Sequence, residues 1–176
     1  MWSKAFVLCA VLSATSARAS LIVNGGFETG DFTGWISSGS VGVSCTLDHT
    51  GSCAAQLLNG SITQNVATSA GDSYTLDFWY GDLPAELTVF WNGSQIFDAG
   101  SGSQPPYIHE TFSGLTATGS STALEFDATG SFGFLILDDV DLVADTGVPE
   151  PSSWTSLAGA AFLYLAWRRQ ARLSGR

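Results

Sequence analysis

Acidic side chains are the most numerous ionisable groups in this chain, and their distribution is uneven. Of the 16 Asp and Glu residues, only Glu150 lies outside residues 20–147. The six Lys and Arg residues all lie outside that segment, at Lys4, Arg18, Arg168, Arg169, Arg172 and Arg176. Nucleic-acid binding is therefore excluded, because the segment has no cation to replace phosphate counterions. A buried carboxylate there needs hydrogen-bond donors, a proton or a metal ion.

Patterns that indicate an enzyme are weak. His49 and His109 form no HExxH or His–Cys pattern, and no Gly-x-Ser-x-Gly turn occurs. Pairs of carboxylates, as glycosidases use, are expected by chance in so acidic a domain. We predict a protein that is not an enzyme. The alternative is a small glycan-active hydrolase that uses paired Asp and Glu.

Large aromatic residues are a second group with binding chemistry. Trp79, Phe90, Trp91 and Tyr107 could stack against sugar rings if they lie on a solvent-facing sheet. Trp35 is expected in the core. The alternative for each of the four rings is that it packs the two layers of a sandwich together.

Short strands separated by Gly, Ser and Asn turns must position these groups, since no helical periodicity occurs in residues 20–147. In residues 73–80, Tyr74, Leu76, Phe78 and Tyr80 alternate with Thr75, Asp77 and Trp79, as in a half-buried strand. The dipeptide Asn92-Gly93 is a strong hairpin signal. The predicted strands are 21–23, 41–47, 53–58, 61–66, 73–80, 86–91, 95–98, 107–112, 122–127 and 132–143. Roughly nine or ten strands predict an all-β, antiparallel sandwich.

The N-terminus predicts export. Residues 1–19 contain Lys4, an apolar stretch over 5–12 and the small-residue site Ala17-Arg18-Ala19, which are typical of a Sec signal peptide cleaved after Ala19. Cys9 leaves with that peptide. In an oxidising compartment, the two remaining cysteines predict a Cys45–Cys53 disulfide. The alternative is two free buried thiols.

The C-terminus predicts a membrane anchor. Val148 begins the motif Val148-Pro149-Glu150-Pro151, and an uncharged apolar run follows from Trp154 to Trp167. Arginines directly after such a run favour a cytoplasmic C-terminus. As a helix, residues 152–167 would span about 24 Å against a hydrocarbon core of ~30 Å. The alternative is a buried C-terminal helix.

This tail resembles the PEP-CTERM sorting signals, which combine Val-Pro-Glu-Pro, one apolar helix and an Arg-rich end. The resemblance implies processing by an exosortase at the inner membrane of a Gram-negative producer of extracellular polysaccharide. It assigns the sorting signal to residues 148–151 and membrane retention to Arg168 and Arg169. The expected organisation is a signal peptide (1–19), a β-sandwich (20–144), a linker (145–148) and a sorting segment (149–176) with a transmembrane helix at about 153–167.

The two ends of the predicted sandwich carry a second resemblance. The opening Leu-Ile-Val-Asn-Gly-Gly-Phe-Glu-Thr-Gly with Trp35, and the closing Leu-Ile-Leu-Asp-Asp-Val-Asp-Leu of residues 135–142, are similar to those of galactose-binding-like jelly rolls. That group includes several carbohydrate-binding modules. The resemblance implies a jelly roll and a structural Ca²⁺ held by Glu28 and by Asp138 or Asp139.

The residues agree with a calcium site in one respect. By strand alternation, Ile136, Asp138, Val140 and Leu142 share one face. If that face is the inner one, Asp138 points toward the core edge, where a hard cation with oxygen ligands would neutralise it. The alternative is that these carboxylates accept hydrogen bonds from turn amides or stay solvated.

These observations predict an exported, exosortase-sorted protein of the cell envelope or extracellular matrix. Its precursor is anchored in the inner membrane, and extracellular polysaccharide is a possible partner. The predicted role is that of a non-catalytic, glycan-associated structural or binding module. A calcium-dependent adhesin is a further alternative to the hydrolase.

Overall fold

A computed structural model describes residues 18–81, 85–100, 107–130 and 133–145. These residues form eight strands and contain no helix. The strands are β1 (Ile36–Ser44), β2 (Ala54–Ala67), β3 (Ser73–Gly81), β4 (Glu86–Trp91), β5 (Ser94–Ala99), β6 (Ile108–Thr116), β7 (Ser121–Thr129) and β8 (Leu135–Ala144). All of their pairings are antiparallel, which confirms the predicted fold class for this part of the chain.

Strand β2 divides the structure into two layers. The strand order is β5-β4-β7-β2-β8-β3-β6, and β1 pairs with the other edge of β2. The end of β2 (Gly60–Ala67) pairs with β7, whereas its beginning (Ala55–Leu57) pairs with β8. The five-strand layer therefore comprises β5, β4, β7 and the adjoining parts of β2 and β1. The second layer comprises β6, β3, β8 and the beginning of β2.

The two layers enclose one hydrophobic core. Tyr74, Leu76, Phe78 and Tyr80 of β3 all point inward, as the alternation in the sequence predicts. Phe78 contacts Phe126 of β7 across the layers, with ring centroids 5.2 Å apart. Each fully buried side chain of this kind contributes about 1.5–3 kcal/mol to folding. The curled sheet around this core is a jelly-roll sandwich.

The predicted first strand, 21–23, is wrong. Leu21 N donates to Leu142 O at 2.8 Å, but no strand ladder follows. Instead, the Gln64 side chain accepts from Val23 N (2.8 Å) and donates to Val23 O (3.0 Å). A side-chain amide thus replaces the neighbouring strand, so this segment is a loop held against β2 and β8.

Strand β2 merges the two strands predicted at 53–58 and 61–66. The chain does not break between these two segments, because the Asn59 side chain donates to Gly130 O (2.7 Å) and accepts from Gly130 N (3.1 Å). These bonds hold β2 extended where it passes from one layer to the other. Eight described strands therefore replace the nine or ten predicted.

The other strand boundaries differ by smaller amounts. Strand β1 begins five residues earlier than the predicted segment 41–47, and it ends at Ser44, three residues before the predicted end. Strand β4 has the predicted bounds. The hairpin between β4 and β5 turns at Asn92 (φ 50°) and Gly93 (φ 76°), as the dipeptide predicts. Asp145, predicted as the first linker residue, is still attached to the sheet, because its N donates to Ser73 O at 2.7 Å.

Several predictions fall on residues that the structure does not describe. They are the signal peptide except Arg18 and Ala19, the motif Val148–Pro151, Arg168, Arg169 and the predicted transmembrane helix. Within the described ranges, no helix has the length and apolar character needed to cross a membrane.

Candidate functional site

The outer surface of the five-strand layer carries a mixed row of side chains. Alternation sends Leu124 and Phe126 of β7 into the core, so Glu125 between them points outward. Phe90 of β4 lies between the buried residues Val89 and Trp91 and also points outward. The row of directly opposed residues across β5, β4, β7, β2 and β1 is Gln95, Phe90, Glu125, Thr63 and Ile36.

A second row runs parallel to the first. Its members, from β5 to β1, are Asp98, Thr88, Asp127, Ser61 and Ser38. Five strands at about 4.8 Å spacing give each row a length of about 19 Å. This outer face combines one half-buried aromatic ring, an exposed Ile36 (64 %), hydroxyls, an amide and carboxylates. Such a surface offers stacking and hydrogen bonding side by side along an extended ligand.

The central carboxylates of this face are free. Glu125 and Asp127 are half-buried, and none of the hydrogen bonds or ion pairs among the described residues involves them. At the margin, the exposed Gln95 donates to Asp98 at 3.2 Å, and no other described residue does so. Hydrogen-bond acceptors with this much remaining capacity are available to a ligand.

The carboxylates of the second layer are arranged differently. Asp139 has φ 49° and forms a bulge in β8 opposite β3, at the register shift between Asp77 and Trp79. The bulge reverses the alternation, so Asp138 shares a face with Trp79 and not with Val140 and Leu142. The predicted common face of these β8 residues is therefore wrong. Asp138 lies on the outer side of the layer, yet it is fully buried.

The loop between Cys45 and Cys53 buries Asp138. Asp138 Oδ2 accepts from His49 N (2.8 Å) and Thr50 N (3.2 Å), and Oδ1 accepts from Asp139 N (2.7 Å). Burial is the largest influence on this carboxyl and raises its pKa, despite the three amide hydrogen bonds that lower it. The Cys45–Cys53 disulfide closes the same loop, which confirms the predicted pairing.

Glu28 holds the end of the same loop. Its Oε1 accepts from Ser52 N at 2.9 Å and from Cys53 N at 3.1 Å. Asp139 completes the attachment, because its Oδ2 contacts His49 Nδ1 at 2.7 Å and its Oδ1 accepts from Thr50 Oγ1 at 2.7 Å. The three predicted calcium ligands thus accept hydrogen bonds from this loop, which was the alternative to a metal site.

The three acids offer the oxygen atoms that a hard cation prefers, but as described they are not arranged to hold one. A Cβ on Gly26 would lie 3.7 Å from Glu28 Cγ and 3.8 Å from Oδ1 of both Asp138 and Asp139, so the three acids surround a glycine without a side chain. All of them supply oxygen, as Ca²⁺ prefers. Among the described residues, however, no group of three His, Cys, Asp or Glu is arranged to hold a metal ion. Closer convergence of these carboxylates would be required.

Both ring faces of Trp79 are covered by histidine. The His49 ring stacks on Trp79 from the β8 side (centroids 3.9 Å apart), and the His109 ring stacks from the β6 side (4.6 Å). His49 contacts Asp139, and His109 Nε2 contacts Asp77 Oδ1 at 3.2 Å. The predicted sugar platform at Trp79 is therefore already occupied by protein rings.

The other predicted aromatics do not form one site. Trp91 is buried (5 % exposed) and its Nε1 donates to Thr116 O at 3.0 Å, so it packs the core. Tyr107 lies on the second layer, edge-on to His49 at 4.9 Å. Only Phe90 lies on the outer side of the five-strand layer. The alternative of layer packing applies to Trp91, and Trp35 is buried as predicted (7 %).

Tyr107 makes the loop sensitive to alkaline pH. Its hydroxyl donates to Leu47 O at 2.7 Å, and burial together with Asp138, Asp48 and Asp139 raises its pKa to about 12. Because the folded-state pKa exceeds the ordinary value near 10, the protonated form stabilises the fold below pH 10, and this contribution disappears between pH 10 and 12.

We expect the urea-unfolding free energy of the full-length chain to fall between pH 9 and 11 by about 1 kcal/mol more than that of Tyr107→Phe. Partial exposure of the ring limits the effect. Equal slopes against pH for the two proteins would contradict this assignment.

Glu125 and Asp127 were not among the predicted site residues, although the sequence contains a pattern that indicates their orientation. In β7 the apolar residues Leu124, Phe126 and Ala128 alternate with Glu125 and Asp127, so an outward acidic pair is readable from the pattern. The sequence does not predict that Glu125 lies directly opposite Phe90, because the register between strands depends on the whole fold. The same is true of the stacking of both histidines on Trp79.

The fold matches solved structures, although no family model and no curated protein matches the chain. A family 61 carbohydrate-binding module in complex with β-1,4-galactotriose aligns with a TM-score of 0.62 and 21 % identity, over 72 % of this chain and 99 % of that one. A family 16 carbohydrate-binding module gives 0.52 and 21 %, over 70 % and 99 %. The xylan-binding domain CBM22-1 of a Paenibacillus barcinonensis protein gives 0.51 and 18 %, over 74 % and 97 %.

At these identities the similarity establishes the fold. The chain has the jelly-roll architecture of carbohydrate-binding modules, and it spans nearly the full length of the three domains compared.

Proposed function

We propose that this protein is a non-catalytic glycan-binding module whose site is the outer face of the five-strand layer. The observation that carries the proposal is the row in which Phe90 lies directly between Gln95 and Glu125, with free carboxylates at its centre. A sugar presents an apolar ring face and a rim of hydroxyl donors. The ring face suits Phe90, and the hydroxyls suit Glu125 and Asp127. The carbohydrate-binding modules of the same fold support this assignment.

Glycan binding at this face requires no catalytic group. Both histidines of the chain are engaged on the second layer with Trp79 and carboxylates, away from the proposed face. Because glycosidases use paired carboxylates, the free pair Glu125 and Asp127 leaves the hydrolase as the alternative to the proposed binding role.

We expect Phe90→Ala to weaken glycan binding by the full-length chain roughly tenfold or more, which corresponds to about 1–2 kcal/mol for a central aromatic contact. The matched control is Tyr107→Ala, a half-buried ring on the other layer, which should leave the affinity unchanged. A glycan array identifies the ligand, calorimetry measures the affinities, and thermal unfolding verifies that both variants are folded.

Two results would contradict the proposal. If Tyr107→Ala weakens binding and Phe90→Ala does not, the glycan binds to the second layer and not to the five-strand layer. If the bound glycan is cleaved, and a single Asp or Glu substitution abolishes the cleavage, the hydrolase alternative is favoured.

The proposal extends to the route by which the module reaches its glycan. The predicted signal peptide (1–19) and the predicted sorting segment (149–176) support export, temporary anchoring in the inner membrane and release by an exosortase near residues 148–151. The destination would be the cell envelope or extracellular matrix. Mass measurement of the surface form after cleavage by a protease other than trypsin tests this route, and persistence of Arg168 and Arg169 would contradict it.

A structural Ca²⁺ is a separate part of the proposal. Glu28, Asp138 and Asp139 would hold it, and the ion would neutralise acids in a segment that has no Lys or Arg. A ligand at 100 times its Kd stabilises a fold by about 2.7 kcal/mol, so millimolar Ca²⁺ should raise the melting temperature by several degrees. Glu28→Gln keeps an acceptor for the Ser52 and Cys53 amides but should lose most of the shift. An unchanged melting temperature of the natural chain would exclude the site.

A further inference from the structure

The charge of the proposed face restricts the glycans that it can bind. Glu125 and Asp127 point outward at its centre, and Asp98 and Glu86 lie at its margin. Residues 20–147 contain no Lys or Arg, and both histidines contact aromatic and acidic groups of the second layer. Arg18, the one described Lys or Arg, donates to Ala144 O of β8 at 2.9 Å, so no protein cation neutralises these carboxylates within the described part of the chain.

Like charges would repel glycans that contain uronic acid, sulfate or phosphate groups. Protonated amino groups would be attracted. We propose, on the basis of the glycan-binding function above, that this face selects polysaccharides with free primary amines, such as glucosamine units that lack the N-acetyl group.

The neighbours of Glu125 suit an ammonium group. Phe90 is directly opposite on one side, and an aromatic ring attracts a cation at its face. Thr63 is directly opposite on the other side and supplies a hydroxyl acceptor. An ammonium has three donors, so it can satisfy a carboxylate and a hydroxyl together. Neutral hydroxyls could use the same acceptors, but only a cation gains the additional Coulombic attraction.

Asp127 provides a second position of the same kind. It lies two residues along β7 from Glu125, about 6.7 Å away, and is directly opposite Thr88 and Ser61. The face thus presents two neighbouring anionic positions beside hydroxyls. A chain with amino groups on successive sugars is expected to engage both of them, whereas a monosaccharide engages one.

The test compares glucosamine oligomers with N-acetylglucosamine oligomers of the same length. Binding to the full-length chain is measured by calorimetry at pH 6, in 0.05 M and 1 M NaCl. We expect about tenfold tighter binding of the amino form at low salt. The preference should disappear at 1 M NaCl, where the Debye length is about 3 Å. The variant Glu125→Gln/Asp127→Asn should lose the preference, while the control Asp72→Asn, in the loop before β3, should keep it.

The outcomes separate this inference from the proposed function. Equal affinity for the two oligomers, or tighter binding of a uronic-acid glycan, would overturn the charge selection and leave glycan binding intact. The protein could also bind neutral glycans without preferring amines, and Phe90→Ala could weaken that binding. This result too would overturn the charge selection and support glycan binding. If no glycan of any charge binds, both proposals are wrong.

Discussion

Replacing Gly25 with alanine is expected to destabilise the full-length chain by about 3 kcal/mol or more, a larger effect than overpacking usually has. The Cβ would overlap the carbonyl oxygen of Val140 and would lie 3.0 Å from the Val140 carbonyl carbon and 3.1 Å from Ile22 Cγ2. The two nearest atoms belong to the Val140 backbone, so a side-chain adjustment does not relieve the overlap. The N-terminal loop must therefore move away from β8.

The position matters because this loop is attached to the last strand through Gly25. Val140 N donates to Gly25 O at 3.0 Å, and Phe27, fully buried, follows two residues later. A displaced loop would lose this hydrogen bond and part of the core contact of Phe27 with Trp35 (5.7 Å between centroids). Loss of one core aromatic contact adds to the steric cost.

Thermal unfolding measures the effect, and we expect the melting temperature to fall by about 10 °C or more. Gly42→Ala in β1 is the matched control, because its Cβ would have no heavy atom within 4 Å and its φ is not positive. That variant should remain within about 0.5 kcal/mol of the natural chain. If both substitutions have a small and equal effect, Gly25 does not pack closely against β8.

Removal of the Cys45–Cys53 disulfide is expected to cost about 2–3 kcal/mol. The cross-link closes a short loop, with a sequence separation of 8, and restricts the unfolded chain. In the folded chain the same loop supplies the amides of His49, Thr50 and Ser52 to Asp138 and Glu28. If those bonds loosen, the buried Asp138 carboxylate loses donors that it needs.

Urea unfolding of the double variant Cys45→Ser/Cys53→Ser measures the contribution of the disulfide to the free energy of unfolding. The natural chain in reductant is the control, because it lacks the disulfide but keeps both cysteine side chains. The two should agree within about 0.5 kcal/mol, since both lack the same cross-link. Glycan binding at the five-strand face should not change in either, because the loop lies on the second layer. A stability loss below about 0.5 kcal/mol would mean that the loop is held by its hydrogen bonds alone.

Much of the fold was accessible from local patterns. Alternation in residues 73–80 and the Asn92-Gly93 turn depend on neighbours in the chain, and the structure confirms both. The break predicted between strands 53–58 and 61–66 rested on the same kind of local pattern. There the distant Gly130 backbone, which bonds to the Asn59 side chain, overrides the local preference.

The candidate site was less accessible, because it depends on register between strands that are distant in sequence. Phe90 was among the predicted stacking residues, but so were Trp79 and Trp91, which the fold places against histidines and in the core. Side-chain type is similar in all three. What distinguishes them is the layer and the face on which each ring lies.

The sequence by itself determined the antiparallel β-sandwich class, the disulfide partners and the absence of Lys and Arg from residues 20–147. Each of these depends on composition, on local periodicity or on an even cysteine count. Only the tertiary structure decided which carboxylates are free. A one-residue bulge at Asp139 turns Asp138 outward under a loop that satisfies it, whereas unbroken alternation in β7 leaves Glu125 and Asp127 without protein partners among the described residues. Strand pairing sets this difference, because a shift of one residue exchanges the two faces of a strand.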